Sequence, residues 1–283
     1  MPDILINGEP SQHISYLDRG LQYGDGLFET ILVKNGQAIF LTEHLSRLQK
    51  GFIALGFQHL DLLQISTEIK QLLSDKDHGH LKIIITRGPG ERGYLAPEKP
   101  QLTRIILFNK TDKLSTSKKT FVKLRLCKTR LSHQPALVGI KHLNQLDHVL
   151  ARNEWRDMTI KEGLMFDTEK KLIEGTMSNV FIVHNGVLKT PDLRSSGIKG
   201  VMRSFLLKKA ALENRPYQIG DFTVDDLISA DEVFITNSLM PIWFVNQLLL
   251  TDQCLNKKPG PVSYWALQSI NTEIQHQSIF QSS

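Results

Sequence analysis

Cysteine is almost missing from this chain of 283 residues: Cys127 and Cys254 are its two, far apart and without metal-ligand spacing. That excludes a disulfide framework and a zinc module, and it predicts two buried, reduced thiols in a reducing cytoplasm. Long hydrophobic runs are missing too. No stretch approaches the ~20 apolar residues of a membrane span, and the most apolar one, from Leu239 to Leu250, is broken by Pro241, Asn246 and Gln247. The start, Met1-Pro2-Asp3-Ile4-Leu5, lacks the basic residues and apolar run of a secretory signal. Repeats and low-complexity tracts are absent. Basic residues outnumber acidic ones, 34 to 29, but they are scattered, with Ser117-Lys118-Lys119 as the nearest thing to a run. No nucleic acid is therefore expected as a partner, and the net charge of +5 suits a small anionic ligand instead.

What is present is the composition of a globular protein, 41% hydrophobic and 22% charged, in a chain long enough for two cores. Asn7-Gly8, Asn35-Gly36 and Asn185-Gly186 each lie between apolar runs, the pattern of a tight hairpin whose two turn residues need positive φ. A helix is predicted after Thr42, as N-cap, with Leu45, Leu48, Phe52 and Leu55 on one side, and another from Leu60 to Leu73. Leu81–Thr86 and Leu102–Phe108 read as strands flanking a loop rich in glycine and proline. Together these make a small α+β domain over 1–109. The polar segment 110–121 reads as a linker. The remainder, 122–283, is a larger domain. It has strands at Val122–Cys127, Gly163–Phe166, Asn179–Val183 and Glu232–Thr236, and helices at Asn144 to about Lys161, Gly200–Asn214, Thr223–Ser229 and Val262–Phe280. The glycines at Gly24 and Gly88 are not at strand-to-helix turns, so they read as loop punctuation rather than a dinucleotide motif.

Two segments carry chemistry. Val138-Gly139-Ile140-Lys141-His142-Leu143-Asn144 sets a lysine after an apolar stretch, and Leu172-Ile173-Glu174-Gly175 ends a strand-like run on a carboxylate. Taken singly, either can be read as an ordinary surface residue. As a pair they match what pyridoxal phosphate requires: an amine to hold it as a Schiff base, and an acid beneath its ring nitrogen. Five further segments accompany them in order. They are Asp18-Arg19-Gly20 with Tyr23-Gly24-Asp25-Gly26-Leu27-Phe28-Glu29-Thr30, His44-Leu45-Ser46-Arg47-Leu48, the loop Arg87-Gly88-Pro89-Gly90-Glu91-Arg92-Gly93-Tyr94, Gly197-Ile198-Lys199-Gly200-Val201-Met202-Arg203, and Thr236-Asn237-Ser238-Leu239-Met240-Pro241.

On these segments, from Ile6 to about Val245, the chain resembles the fold-type IV pyridoxal-phosphate enzymes, which include branched-chain and D-amino-acid aminotransferases. The resemblance implies an α+β / α/β two-domain protein: a small N-terminal α/β domain, and a larger C-terminal domain with a barrel-like sheet. It also implies a cytoplasmic homodimer and pyridoxal 5'-phosphate as cofactor. Lys141 would be the Schiff-base lysine, Glu174 the partner of the ring nitrogen, and Arg47 the phosphate arginine. The amides of Gly200, Val201 and Met202 would lie at the phosphate, with Asn237 and Ser238 in the last phosphate-side loop. Threonine often stands at the place of Met202 in related aminotransferases; here the backbone alone can donate. Arg87 and Arg92 are the candidates for substrate carboxylates. Tyr23, Phe28 and Thr30 would line the cleft, Asn144 would orient the lysine, and Thr30 or Lys141 would protonate the leaving group. His142 reads as a core histidine.

The Lys-His-Leu-Asn run and the 87–94 loop lean towards the family's lyase subgroup, which takes 4-amino-4-deoxychorismate and releases pyruvate and 4-aminobenzoate for folate synthesis. An aminotransferase acting on D- or branched-chain amino acids would share Lys141, Glu174 and Arg47. A basic binding protein that has lost catalysis is the third reading. No metal is expected.

Overall fold

A computed structural model describes residues 3–57, 60–111, 119–250 and 253–280. Met1-Pro2 and most of the expected linker, 112–118, lie outside the described residues. The chain divides into two compact units. The first is Met1–Ser115 with Ile140–Asn144 and Ile274–Ser283, and the second is Thr116–Gly139 with Gln145–Glu273.

The first unit contains β1 (Asp3–Ile6), β2 (Glu9–Pro10), α1 (Arg19–Tyr23), β3 (Gly26–Lys34), β4 (Gln37–Ala38), α2 (Leu41–Ala54), α3 (Leu62–Leu73), β5 (Gly79–Thr86) and β6 (Thr103–Lys110). Its strands form one antiparallel sheet in the order β2-β1-β6-β5-β3-β4. Leu27, Ile31, Leu81, Ile83, Ile85 and Ile106 are buried on one face of it, where α2 packs against β3 and α3 against β6. Burying such a side chain is worth ~1.5–3 kcal/mol, which is what holds these helices to the sheet. Both hairpin turns have the expected positive φ, 54° and 88° at Asn7-Gly8, 52° and 73° at Asn35-Gly36. The second helix starts two residues earlier than its sequence suggests. Its N-cap is Phe40 rather than Thr42, with φ 56° and its amide donating to Gln277 Oε1 at 2.6 Å. Burial of the Phe40 ring, at 2% exposure, decides that boundary over side-chain capping.

The second unit contains β7 (Thr120–Leu131), α4 (Leu146–Arg152), β8 (Ile160–Asp167), β9 (Leu172–Gly175), β10 (Asn179–His184), β11 (Val187–Pro191), α5 (Val201–Leu212), β12 (Tyr217–Gly220), α6 (Val224–Ser229), β13 (Glu232–Thr236), β14 (Trp243–Leu249), β15 (Cys254–Asn256) and most of α7 (Pro261–Phe280). Its sheet runs β12-β11-β10-β13-β14-β7-β8-β9, with β15 added to β14. The terminal strand β9 comes back against β10 and β11, so the sheet curls on itself, as a barrel-like domain requires. Asn185-Gly186 again forms a positive-φ turn, and Thr223 and Asp226 form the capping box of α6.

Two expectations are corrected here. The helix predicted from Asn144 to about Lys161 is α4 alone, Leu146–Arg152. It stops because Glu154 turns to accept the Lys128 and Thr129 amides, and the Trp155 indole is buried with its N–H on the Ile160 carbonyl. Cys127 is buried, but Cys254 is exposed on the edge strand β15; both are free thiols. The stretch after Pro241 is strand β14, held between β13 and β7 despite its irregular pattern. Among the described residues no helix is long and apolar enough to cross a membrane.

Candidate active site

In the first unit, alternation along β3 puts Leu27, Glu29 and Ile31 on the buried face and Phe28 and Thr30 on the half-buried one. Strand β4 covers β3 only at Val33 and Lys34, which leaves the start of that edge to another segment. Residues 141–143 take it. The Phe28 amide donates to the Lys141 carbonyl at 2.9 Å, the Leu143 amide donates to the Gly26 carbonyl at 3.0 Å, and Leu27 stands opposite His142. The lysine backbone is thus clamped, and its Nζ lies 4.2 Å from the centre of the Phe28 ring. That is a cation–π distance for a charged amine. Asn144, expected to orient the lysine, instead donates from Nδ2 to the Gly24 carbonyl at 3.3 Å, pinning the turn at Gly24, whose φ is 68°.

On the buried face, Glu29 is the centre of an ion triad. Its Oε1 accepts from Arg47 Nε at 2.8 Å, and its Oε2 accepts from Arg47 Nη2 and meets His44 Nδ1 at 2.6 Å. His44 and Arg47 are three apart on α2, which sets both towards the strand. Gly51 is needed one turn on, because a Cβ there would meet Leu27 Cδ1 at 2.7 Å. Burial pushes the Glu29 carboxyl up, but the charges and hydrogen bonds of Arg47 and His44 outweigh it and hold the group at about 2. Burial pushes the His44 imidazole down from its ordinary value against the Glu29 carboxylate, which pulls it up, and its Nδ1 faces Glu29 Oε2. Arg47, expected at a phosphate, is therefore a forked guanidinium whose orientation Glu29 fixes.

A pH dependence follows. Because the carboxyl falls from 4.5 to about 2 on folding, its contribution is complete above pH 4.5 and disappears as pH falls to about 2. The size is about 3 kcal/mol, from ~1.36 kcal/mol per pKa unit. Urea unfolding midpoints measured across that range should fall steeply for the wild type and less steeply for Glu29→Gln. Parallel profiles would remove the triad from the account.

The glycine-rich loop is tied down rather than free. Asp25 Oδ2 accepts from both Arg19 Nε at 2.9 Å and Arg87 Nε at 2.8 Å. Burial pushes the Asp25 carboxyl up, but the two arginines win and hold it below its usual range. Arg87 also donates to the Leu55 carbonyl at 2.8 Å and covers the Phe57 ring at 4.0 Å, buried throughout. Expected to meet substrate, it has its guanidinium engaged in structure. Arg92 lies exposed on the same loop. Arg19, which no sequence signal singled out beyond its place in the Asp-Arg-Gly segment, holds the loop backbone by donating to the carbonyls of Gly93, Tyr94 and Leu95. The Tyr23 hydroxyl accepts the Gly93 amide at 3.2 Å.

In the second unit Glu174 is the penultimate residue of β9, 3% exposed. Its Oε2 accepts the Ile198 amide at 2.9 Å and Asn179 Nδ2 at 3.4 Å, and its Oε1 is 3.0 Å from His148 Nε2. Asn179 also clamps the next loop, donating to the Ile198 carbonyl at 2.9 Å and accepting the Gly200 amide at 3.0 Å. Gly200 cannot carry a side chain, because its Cβ would fall 1.9 Å from Asn179 Oδ1. From Gly200 starts α5, with no side-chain cap, so the first-turn amides at Val201 and Met202 are not served by one. Asn237 lies in a turn: its Oδ1 accepts the Leu239 and Met240 amides and its Nδ2 donates to the Met177 carbonyl. Ser238 is the next residue, partly buried. His148 was not foreseen, and helical spacing from the buried Ala151 is the signal that could have found it.

Comparison with known proteins gives a consistent result. The sequence profile of the amino-transferase class IV family matches residues 26–248. An aminodeoxychorismate lyase of Vibrio harveyi is 36% identical over 270 residues, covering 94% of this chain and 99% of that protein. The crystal structure of a 4-amino-4-deoxychorismate lyase from Pseudomonas aeruginosa superposes with a TM-score of 0.87 at 37% identity, covering 95% of this chain and 98% of that one. A D-alanine aminotransferase of Staphylococcus aureus (strain N315) is similar at 28% identity, over 99% of this chain and all of that protein.

Proposed function

Since the chain belongs to the class IV amino-transferase family, we propose that it is a pyridoxal-phosphate enzyme that eliminates pyruvate from 4-amino-4-deoxychorismate, giving 4-aminobenzoate for folate synthesis. The observation that carries the lyase reading is similarity at 36% and 37% to two such lyases along nearly their whole lengths, against 28% for the aminotransferase.

The donor chemistry fits the cofactor. An aldehyde needs an amine, and Lys141 presents one against the Phe28 ring. A ring nitrogen needs an acceptor, and Glu174 is a buried carboxylate whose contacts are met by donors. A phosphate needs a cation and open amides, for which Arg47 and the uncapped start of α5 at Gly200, Val201 and Met202 are suited, with Ser238 nearby in sequence to the β13 end. When bound, pyridoxal phosphate supplies a ring that takes up electron density from the carbon carrying the substrate amine.

The protein's own residues do the rest. Lys141, as a neutral amine, removes the proton from that carbon, and its clamped backbone limits where Nζ can reach. Glu174 holds the ring nitrogen by its carboxylate oxygens. Arg92 meets a substrate carboxylate, and Tyr23 and Phe28 wall the substrate ring. Thr30, on the same strand face as Phe28, delivers a proton to the departing enol, with Lys141 as the other candidate. Loss of pyruvate leaves an aromatic ring, which drives the reaction forward. The reading includes a cytoplasmic homodimer, consistent with the exposed Leu146, Val149 and Leu150 on α4.

The alternative, an aminotransferase for D- or branched-chain amino acids, has the 28% relative in its favour. Purified protein coupled to a synthase that forms aminodeoxychorismate should release 4-aminobenzoate and pyruvate in equal amounts. Pyruvate formation from D-alanine and 2-oxoglutarate, with no 4-aminobenzoate in the coupled assay, would replace the lyase by the aminotransferase.

A further inference from the structure

His148 lies on α4 with its side chain towards Glu174, while Leu146, Val149 and Leu150 of the same helix are exposed. Among the described residues the two other donors to Glu174, the Ile198 amide and Asn179 Nδ2, reach Oε2. His148 Nε2, at 3.0 Å, is the contact on Oε1. We infer that His148 is the positioning residue that fixes the plane of the Glu174 carboxylate; this deepens, and rests on, the role proposed above for Glu174.

The terminal torsion of a glutamate is broad, and a carboxylate held at one oxygen can still pivot about that point. A donor on each oxygen removes that freedom. The proton position on the imidazole follows from its surroundings. Nδ1 is buried and has no hydrogen-bond partner among the described residues. A buried N–H left without an acceptor costs more than a bare ring nitrogen beside apolar atoms, so the proton belongs on Nε2, pointing at the carboxylate. With nothing at Nδ1 to pass a proton onward, His148 orients Glu174 and does not relay. The carboxylate then offers its remaining lone pairs in one fixed direction, which is what a ring nitrogen needs if its hydrogen bond is to stay short throughout turnover.

The test compares H148L, which removes the donor, with H148Q, whose amide nitrogen can take the place of Nε2. Pyridoxal phosphate affinity is read by equilibrium dialysis against the apoprotein, the cofactor's visible absorbance is followed against pH, and kcat and KM are measured separately. For H148L, affinity and kcat are expected to fall about 10- to 100-fold, the range for a hydrogen bond to a charged group. KM should stay nearly unchanged and the visible band should titrate differently. H148Q should return to within about threefold of wild type, since a donor is restored. Wild-type behaviour of H148L overturns the inference, and so does an H148Q as impaired as H148L. Should H148L not fold, wild-type protein labelled with 15N-histidine gives an independent answer. Its His148 Nε2–H resonance should move when pyridoxal phosphate is added, and an unmoved resonance overturns the inference. A wild-type protein that takes up no pyridoxal phosphate sinks the cofactor reading itself, a result distinct from every variant outcome.

Discussion

Lys141→Ala is expected to abolish turnover and the visible absorbance of bound cofactor together. A positioned acid–base group alone contributes about 10²–10⁴-fold, and here the same amine is also the proposed covalent tether, so activity should fall below detection. The fold should survive. Residues 141–143 are held to β3 by backbone hydrogen bonds that an alanine keeps. The Nζ contact with the Phe28 ring, at 4.2 Å, accounts for only ~0.5–1 kcal/mol of stability if exposed. Far-UV circular dichroism and the thermal midpoint of the apoprotein separate loss of chemistry from loss of structure. A small primary amine such as methylamine should recover part of the rate in the variant, since the missing group is a base of that kind. An alanine variant that keeps its activity would overturn the assignment of this lysine.

Glu174→Gln carries the second large effect. The carboxylate takes donors on both oxygens, from His148 on Oε1 and from the Ile198 amide and Asn179 on Oε2. A glutamine can accept on one side only, so its NH₂ must face a donor on the other. In the role proposed for Glu174 it also leaves a bound ring nitrogen without a negative partner. Removing one member of a buried, hydrogen-bonded charge pair costs about 2–5 kcal/mol, or roughly 30- to several-thousandfold at ~1.4 kcal/mol per decade. The loss should fall on kcat more than on KM, because the charge matters most when the ring holds extra electron density. Steady-state kinetics with cofactor in excess provide the measurement, and a glutamine variant with wild-type kcat would remove Glu174 from the mechanism.

Local signals in the chain were clear wherever the physics is local. Three Asn-Gly pairs sit in positive-φ turns because few other residues tolerate that conformation twice in a row. The Thr223–Asp226 box starts α6 because its two partners are three residues apart. The same clarity was lacking where a distant partner decides. Arg87 and Arg92 look alike in a glycine-rich loop, yet one is buried on Asp25 and Phe57 and the other is exposed. Asn144 and Asn237 have ordinary polar side chains, and each is consumed by a backbone group that sequence spacing does not reveal. Helix α4 ends at Arg152 because of Glu154 and Trp155, whose side-chain hydrogen bonds go to strands β7 and β8.

The sequence by itself determined the family, the turns, and the chemical kinds of group available: an amine at 141, a carboxylate at 174, an arginine at 47 and a glycine at 200. Only the tertiary structure decided how each is held. Glu29 orients Arg47, the β3 edge clamps Lys141, Asn179 shapes the entry to α5, and His148 reaches Glu174. The reason is that burial obliges most polar groups to find a partner, and such a partner is chosen by proximity in space, which residue order along the chain does not encode.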